Sequence, residues 1–142
     1  TFLEGGVRVP MIISYAKALP QGIARDQVIT IMDWMPTLLD LIDLPAPQHR
    51  LDGHSLLPII KNANATSPHP VLHFDWREDW AVREGDWKLI AKKNRQSGEM
   101  VYSLHNLADA KPEVADYASE KPELVAHFKT LHESWAKEVK PK

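Results

Sequence analysis

The chain has 142 residues and a mass of 16.1 kDa, close to the size of one domain and enough to bury roughly two-thirds of its unfolded surface. An apolar fraction of 44% and a charged fraction of 25% exclude disordered, collagen-like and coiled-coil classes, and no apolar run approaches the roughly 18 residues of a membrane span. Seventeen basic against nineteen acidic residues give a net charge of -2 with no basic block, which argues against a nucleic-acid partner. The lack of cysteine removes disulfides, thiolate metal sites and a cysteine nucleophile.

The sequence opens on Thr1 without an initiator methionine or a targeting segment and enters a glycine motif within a few residues, so it is expected to be a piece of a longer polypeptide. Val9 to Tyr15 is a short apolar run entered through Pro10, which predicts a buried strand. Lys17 to Arg25, with Pro20 and Gly22, predicts a loop, and Val28 to Ile31 is again apolar and β-branched. Asp33 is the expected N-cap of a helix carrying Leu38, Leu39, Leu41 and Ile42, with Pro36 in its first turn and Leu44-Pro45 as its stop. Residues 46–70, punctuated by Pro47, Pro58, Pro68 and Pro70, are expected to form a surface linker.

Beyond Pro70 the apolar period becomes that of strands. Val71 to Trp76, Trp80 to Arg83, Asp86 to Ala91 and Met100 to Leu104 are predicted strands, with a turn at Glu84-Gly85. Trp80 and Val82 fall on one face, as do Trp87 and Leu89 in the next strand. The final element is an amphipathic helix with Pro122 in its first turn and Leu124, Phe128, Leu131 and Trp135 spaced by four, three and four.

Familiar catalytic motifs are missing. His69 and His73 are separated by Pro70 in strand-like surroundings, and His132-Glu133 is followed by Ala136 where a zinc-protease helix needs its second histidine. No metal site is therefore expected within the chain. No Gly-x-Ser-x-Gly elbow and no phosphate-cradling glycine loop occurs. Asn64-Ala65-Thr66 is a glycosylation triplet of the kind that arises by chance. His73, Asp75, Arg77, Glu78 and Asp79 cluster beside Trp76 and Trp80, residue types that line either a carbohydrate site or a solvated turn over core tryptophans.

Five segments, in order, carry a family resemblance. Glu4-Gly5-Gly6-Val7-Arg8-Val9-Pro10 closely resembles the Glu-Gly-Gly-x-Arg-x-Pro signature of the sulfatases. Asp33-Trp34-Met35-Pro36-Thr37-Leu38-Leu39 resembles their Asp-x-x-Pro-Thr-Leu-Leu helix, and Asp52-Gly53-His54-Ser55-Leu56-Leu57-Pro58 their Asp-Gly-x-Ser-Leu-Leu-Pro segment. Ala81 to Leu89 is similar to a strand pair of their C-terminal subdomain, and Leu104-His105-Asn106-Leu107, followed by Lys121-Pro122-Glu123-Leu124, to their Leu-Tyr-Asn-Leu ending and terminal helix.

The resemblance implies an α/β, alkaline-phosphatase-like architecture: residues 1–45 at the edge of a large mixed sheet, a linker over 46–70, and an antiparallel-sheet subdomain with a packed terminal helix over 71–142. It implies hydrolysis of sulfate esters by the complete protein, with Ca2+ and a formylglycine nucleophile made from Cys or Ser in a Cys/Ser-x-Pro-x-Arg motif. That motif is absent here, since none of the seven serines has Pro at +2 and Arg at +4, so no catalytic residue is expected in the chain and the piece alone is expected to be inactive. The family's sulfate-binding lysine would fall two residues before Thr1. Thr1, Phe2, Glu4, Gly5 and Gly6 would then lie beside the sulfate pocket, with Arg8 tying the loop down through a charge-assisted pair. His73, Arg77 and Trp80 become candidates for lining the substrate mouth. The implied partners are a sulfated small molecule or carbohydrate and the N-terminal sulfatase domain, in a periplasmic or secreted setting. A non-catalytic carbohydrate-binding or interaction module and a related phosphonate or phosphodiester hydrolase remain alternatives.

Overall fold

The computed structural model describes residues 1–139, and among these no helix is long and apolar enough to cross a membrane. The chain forms two compact units, one from residues 1–10 and 71–142 and one from residues 11–70. The boundaries thus fall at Pro10 and Pro70 rather than near residues 45 and 46.

The first unit is a four-stranded antiparallel sheet, β1 (Val71–Trp76), β2 (Asp79–Glu84), β3 (Trp87–Lys93) and β4 (Met100–Asn106), in the order β1-β2-β3-β4. The register pairs Trp76 with Asp79 and Glu84 with Trp87, so the first two turns are two residues long. Gly85 takes the positive φ of 57° that such a turn requires. Alternation divides the sheet. Val82, Leu89 and Leu104 are fully buried on one face under Phe128 of the helix α4 (Pro122–Val139), with Val71, Trp80, Trp87, Tyr102, Leu124, Val125 and Leu131 completing the core. The predicted strands and terminal helix are all present, and Trp80 with Val82 and Trp87 with Leu89 share faces as their spacing requires. A single helical turn, α1 (Glu4–Val7), belongs to the same unit.

The second unit contains a 3-10 turn (Ile31–Asp33), α2 (Trp34–Leu41) and α3 (Leu57–Lys61). Its core is Leu19, Leu56, Leu57, Ile59 and Ile60, packed by Met11, Ile13, Ile29, Leu41 and Ala65. Three expectations are corrected here. Val9 to Tyr15 is not a strand: Met11 and Ile13 turn inward while Ile12 is 88% exposed, the alternation of a strand with no ladder partner beside it. Val28 to Ile31 is likewise unpaired, and its last residue opens the 3-10 turn. The proline-rich segment 46–70 is more than a linker, because α3 supplies most of this core, its final carbonyls at Ile59 and Ile60 accepting from the Arg25 guanidinium.

The sequence motifs of this unit grip one another. Thr37 Oγ1 donates to the Asp33 carbonyl at 2.6 Å and accepts the Leu56 amide at 2.9 Å, while Asp33 Oδ1 accepts the His54 amide at 2.8 Å. Asp33 is not the expected forward cap: its carboxylate turns back to the Thr30 amide at 2.7 Å. A Schellman closure ends α2, with Leu44 N bonded to Leu39 O and Asp43 at a φ of 56°. Gly53 passes so close to the 3-10 turn that a Cβ there would lie 2.0 Å from the Met32 carbonyl oxygen. Gly53→Ala is therefore expected to cost at least about 2 kcal/mol, read as a lowered midpoint in chemical denaturation, whereas Gly22→Ala meets nothing within 4 Å and suffers only its positive-φ strain.

Candidate functional site

In the first unit the site is built around Lys88 at the middle of β3. Period-2 alternation places Lys88 on the face opposite Trp87 and Leu89, where it is fully buried. A buried ammonium needs counter-charges, and it has two: Nζ lies 2.9 Å from Glu4 Oε1 and 2.9 Å from Glu113 Oε1. Glu113 Oε2 in turn accepts the Glu4 amide at 2.7 Å, and Arg83 stands 3.8 Å from the other Glu4 oxygen. Two bases and two acids thus close a neutral network that fastens the Glu-Gly-Gly turn α1 to the sheet. Glu113 holds a φ of 64°, a conformation costly for a residue with a side chain, and its two bonds offset that strain.

Among the described residues the turn is anchored through Lys88 and Glu113, whereas Arg8 is exposed and makes no side-chain hydrogen bond or ion pair among them. Gly6 is needed sterically, since a Cβ would sit 2.7 Å from the Thr1 carbonyl oxygen; Gly5 faces open space. Thr1 Oγ1 accepts the Leu3 amide at 3.3 Å, and Phe2 packs against Phe74 with ring centroids 6.3 Å apart.

The three mouth candidates do not meet in one place. His73 and Trp80 lie on the helix-covered face. The His73 ring stacks on Trp135 at 4.8 Å and 1°, and Trp80 on His132 at 4.0 Å and 4°. Burial, with the nearby His132 assisting, holds the His73 pKa below the ordinary imidazole value, and its Nδ1 is buried without a hydrogen-bond partner. Arg77 instead projects from the β1-β2 turn, its guanidinium 5.6 Å from the centroid of the Trp76 ring.

In the second unit Asp33, His54 and His69 bring one ligand atom each to within 4.8 Å of one another, a cluster that sequence spacing does not reveal because the residues are 21 and 15 positions apart. His69 Nε2 stands 2.8 and 2.9 Å from the two Asp33 oxygens. Burial pushes the Asp33 pKa up, but the amides of His54 and Thr30 and the His69 ring outweigh it, holding the carboxyl below the usual range. With two imidazoles and a carboxylate whose oxygens already accept these bonds, the cluster does not suit Ca2+, which takes six to eight oxygen ligands. No other three-member group of this kind occurs among the described residues, so no step involving calcium is derived from this chain.

The sequence reading missed Lys88 and Glu113. The available signal was a lysine flanked by Trp87, Leu89 and Ile90 in a predicted strand, since a charge in an apolar strand calls for a buried partner.

Lys88→Met keeps the volume but strands two carboxylates, and is expected to destabilise by about 3 kcal/mol; in a double-mutant cycle with Glu4→Gln the losses are expected to be strongly non-additive. The pH dependence follows from the two depressed groups. A folded-state pKa below the unfolded value means fewer protons bound when folded, so stability is full above the unfolded pKa and falls with pH below it. Thermal midpoints are expected to fall as the pH drops below about 6.5 through His73 and again below about 4 through Asp33, and His73→Phe, which keeps the stacking ring, removes the first phase.

Residues 1–138 match the family described as N-sulphoglucosamine sulphohydrolase, C-terminal. An uncharacterized sulfatase of Schizosaccharomyces pombe is 29% identical over 131 residues, 86% of this chain and 24% of that protein. Arylsulfatase D of Homo sapiens is 41% identical over 70 residues, 49% of this chain and 12% of its own, and arylsulfatase K of Danio rerio 28% identical over 133 residues, 87% and 25%. The chain spans a quarter or less of the length of these relatives. Its match from the Glu-Gly-Gly turn through helix α4 places it in the sulfatase family, as a sulfatase C-terminal portion.

Proposed function

We propose that the complete protein hydrolyses sulfate esters, R-O-SO3 to alcohol and sulfate, and that this chain supplies the support for one wall of the sulfate pocket. The observation that carries the reading is the locked turn α1, in which Glu4 is held by Lys88 and Glu113 within a chain that matches the sulfatase C-terminal family along nearly its whole length. Glu4 is committed to that network, and Gly6 allows the turn to fold back on Thr1. The residues beside the turn are thereby kept in one position, which is what a preorganised anion site needs from its surroundings. The nucleophile and Ca2+ belong, in this reading, to parts of the protein outside this sequence, in an alkaline-phosphatase-like core and an exported or periplasmic enzyme.

Support for a larger partner comes from α2 and the turn before it. Ile31, Met35, Leu38 and Ile42, spaced by four, three and four, are 80%, 52%, 47% and 58% exposed, an apolar stripe of the kind that a neighbouring domain covers. A stand-alone binding module has no use for it.

The test is hydrolysis of 4-nitrocatechol sulfate by the complete polypeptide, beside the matching aryl phosphate, phosphodiester and phosphonate. Sulfate release is expected to dominate, and Lys88→Met to lower kcat at least tenfold, on the order of 1.4 kcal/mol. Preferential cleavage of a phosphorus ester assigns the protein to a related hydrolase, and no cleavage of any of them leaves the binding-module reading.

A further inference from the structure

Asp33, His54 and His69 take no part in fastening the Glu-Gly-Gly turn, and all three belong to the unit of residues 11–70. Backbone contacts set each of them in place. Gly53 passes the Met32 carbonyl with no room for a Cβ, so the next residue, His54, is delivered to Asp33 and its amide donates to Oδ1 at 2.8 Å. The Ser67 hydroxyl donates to the Val28 carbonyl at 2.6 Å and accepts the His69 amide at 3.1 Å. Pro68 and Pro70, on either side of His69, stiffen that segment. The Asp33 carboxylate is closed to solvent and already oriented by the Thr30 and His54 amides.

Holding Asp33 takes the His54 amide and not the His54 ring, yet the ring comes too. The two imidazoles meet edge to face, with centroids 5.3 Å apart and planes at 79°. One ligand atom from each ring and one from the carboxylate fall within 4.8 Å of one another. Two histidines on one tetrahedral zinc, each at about 2.0–2.1 Å, put their ring centroids about 5 Å apart and their ligand atoms roughly 3.3 Å apart. His69 Nε2 and the Asp33 oxygens, now at 2.8 and 2.9 Å, need to part by only about half an ångström to admit the ion. The side chains of His69 and Asp33 are 8% and 0% exposed while His54 is exposed, which gives the cluster one open side for entry and for a water in the fourth position.

Two imidazole nitrogens and one carboxylate oxygen are the donor set of a borderline divalent ion, and they disfavour Mg2+ and Ca2+. We propose that Asp33, His54 and His69 form a zinc site of three protein ligands and one water. The ion takes the place of the hydrogen between His69 Nε2 and Asp33, the imidazole then carrying its proton on Nδ1. The Thr30 and His54 amides stay on the carboxylate as the outer bonds that orient it. Bound there, zinc ties the entry of α2, the Asp-Gly-His-Ser segment and the Pro-His-Pro segment into one joint. The assignment rests on these residues alone and not on the sulfate-ester reading.

The test is calorimetric titration of the chelator-stripped complete polypeptide with zinc chloride, in an excess of Ca2+ so that sites built from oxygen ligands are filled. Zinc is expected to bind with a Kd of about 10 μM or below, and Co2+ to bind in its place with the strong visible absorption of a four-coordinate ion. His54→Ala removes a ligand but keeps the amide that holds Asp33. It is expected to weaken zinc at least about tenfold and to abolish the Co2+ band, without moving the thermal midpoint of the metal-free protein. His69→Gln, which keeps a donor to Asp33, is expected to weaken zinc likewise. Added zinc is expected to raise the midpoint of the unsubstituted protein and not that of His54→Ala. Weaker binding or none overturns the proposal and leaves a structural His-Asp pair. Affinity that survives in His54→Ala, or the faint spectrum of six-coordinate Co2+, overturns it as well, since the ion is then adventitious and held elsewhere.

Discussion

A lysine ammonium buried completely inside a sheet face is among the most expensive groups a small unit can carry, and the first unit is organised around meeting that cost. Lys88 takes one carboxylate from residue 4 and one from residue 113, so two segments far from β3 in sequence must come to it. Removing either acid leaves the ammonium with a single carboxylate in a place water does not reach. The position of α1 and the strained backbone at Glu113 both follow from this constraint.

The second unit solves a comparable problem with a carboxylate. Asp33 is fully buried and collects the Thr30 amide, the His54 amide and the His69 ring, while Thr37 one helical turn on takes the Leu56 amide. The Asp-x-x-Pro-Thr and Asp-Gly-x-Ser-Leu-Leu-Pro motifs are thus two halves of one contact. Gly53 fits between them because nothing larger passes the Met32 carbonyl.

Periodicity made the sheet and terminal helix legible, since Trp80, Val82, Trp87, Leu89 and the Leu124-Phe128-Leu131 series alternate or recur at the spacing of their elements. It failed where an element's existence depends on something other than its own pattern. Val9 to Tyr15 has the composition of a strand, but a ladder needs a second chain segment alongside, and Met11 and Ile13 are half-buried without one. Residues 46–70 read as a linker because proline masks short helices, yet Pro58 sits in the first turn of α3, where a missing amide costs nothing. The site was legible as a motif and illegible as a mechanism of support: Glu4-Gly5-Gly6 stood out, while the partners of Glu4 lie 84 and 109 positions away, farther than the neighbouring charge of Arg8.

A cluster of hydrophobic side chains of the same volume as Lys88, Glu4 and Glu113 would close the sheet face at equal or lower energy. It would not say where α1 must stop, because apolar contacts tolerate sliding and rotation while an ammonium between two carboxylates does not. Placing the Glu-Gly-Gly turn with that definition is useful only if something next to it must be held to within a fraction of an ångström. The buried charges therefore make more sense as positioning devices than as stabilisers, and their value lies in the group beside the turn rather than in the fold that carries them.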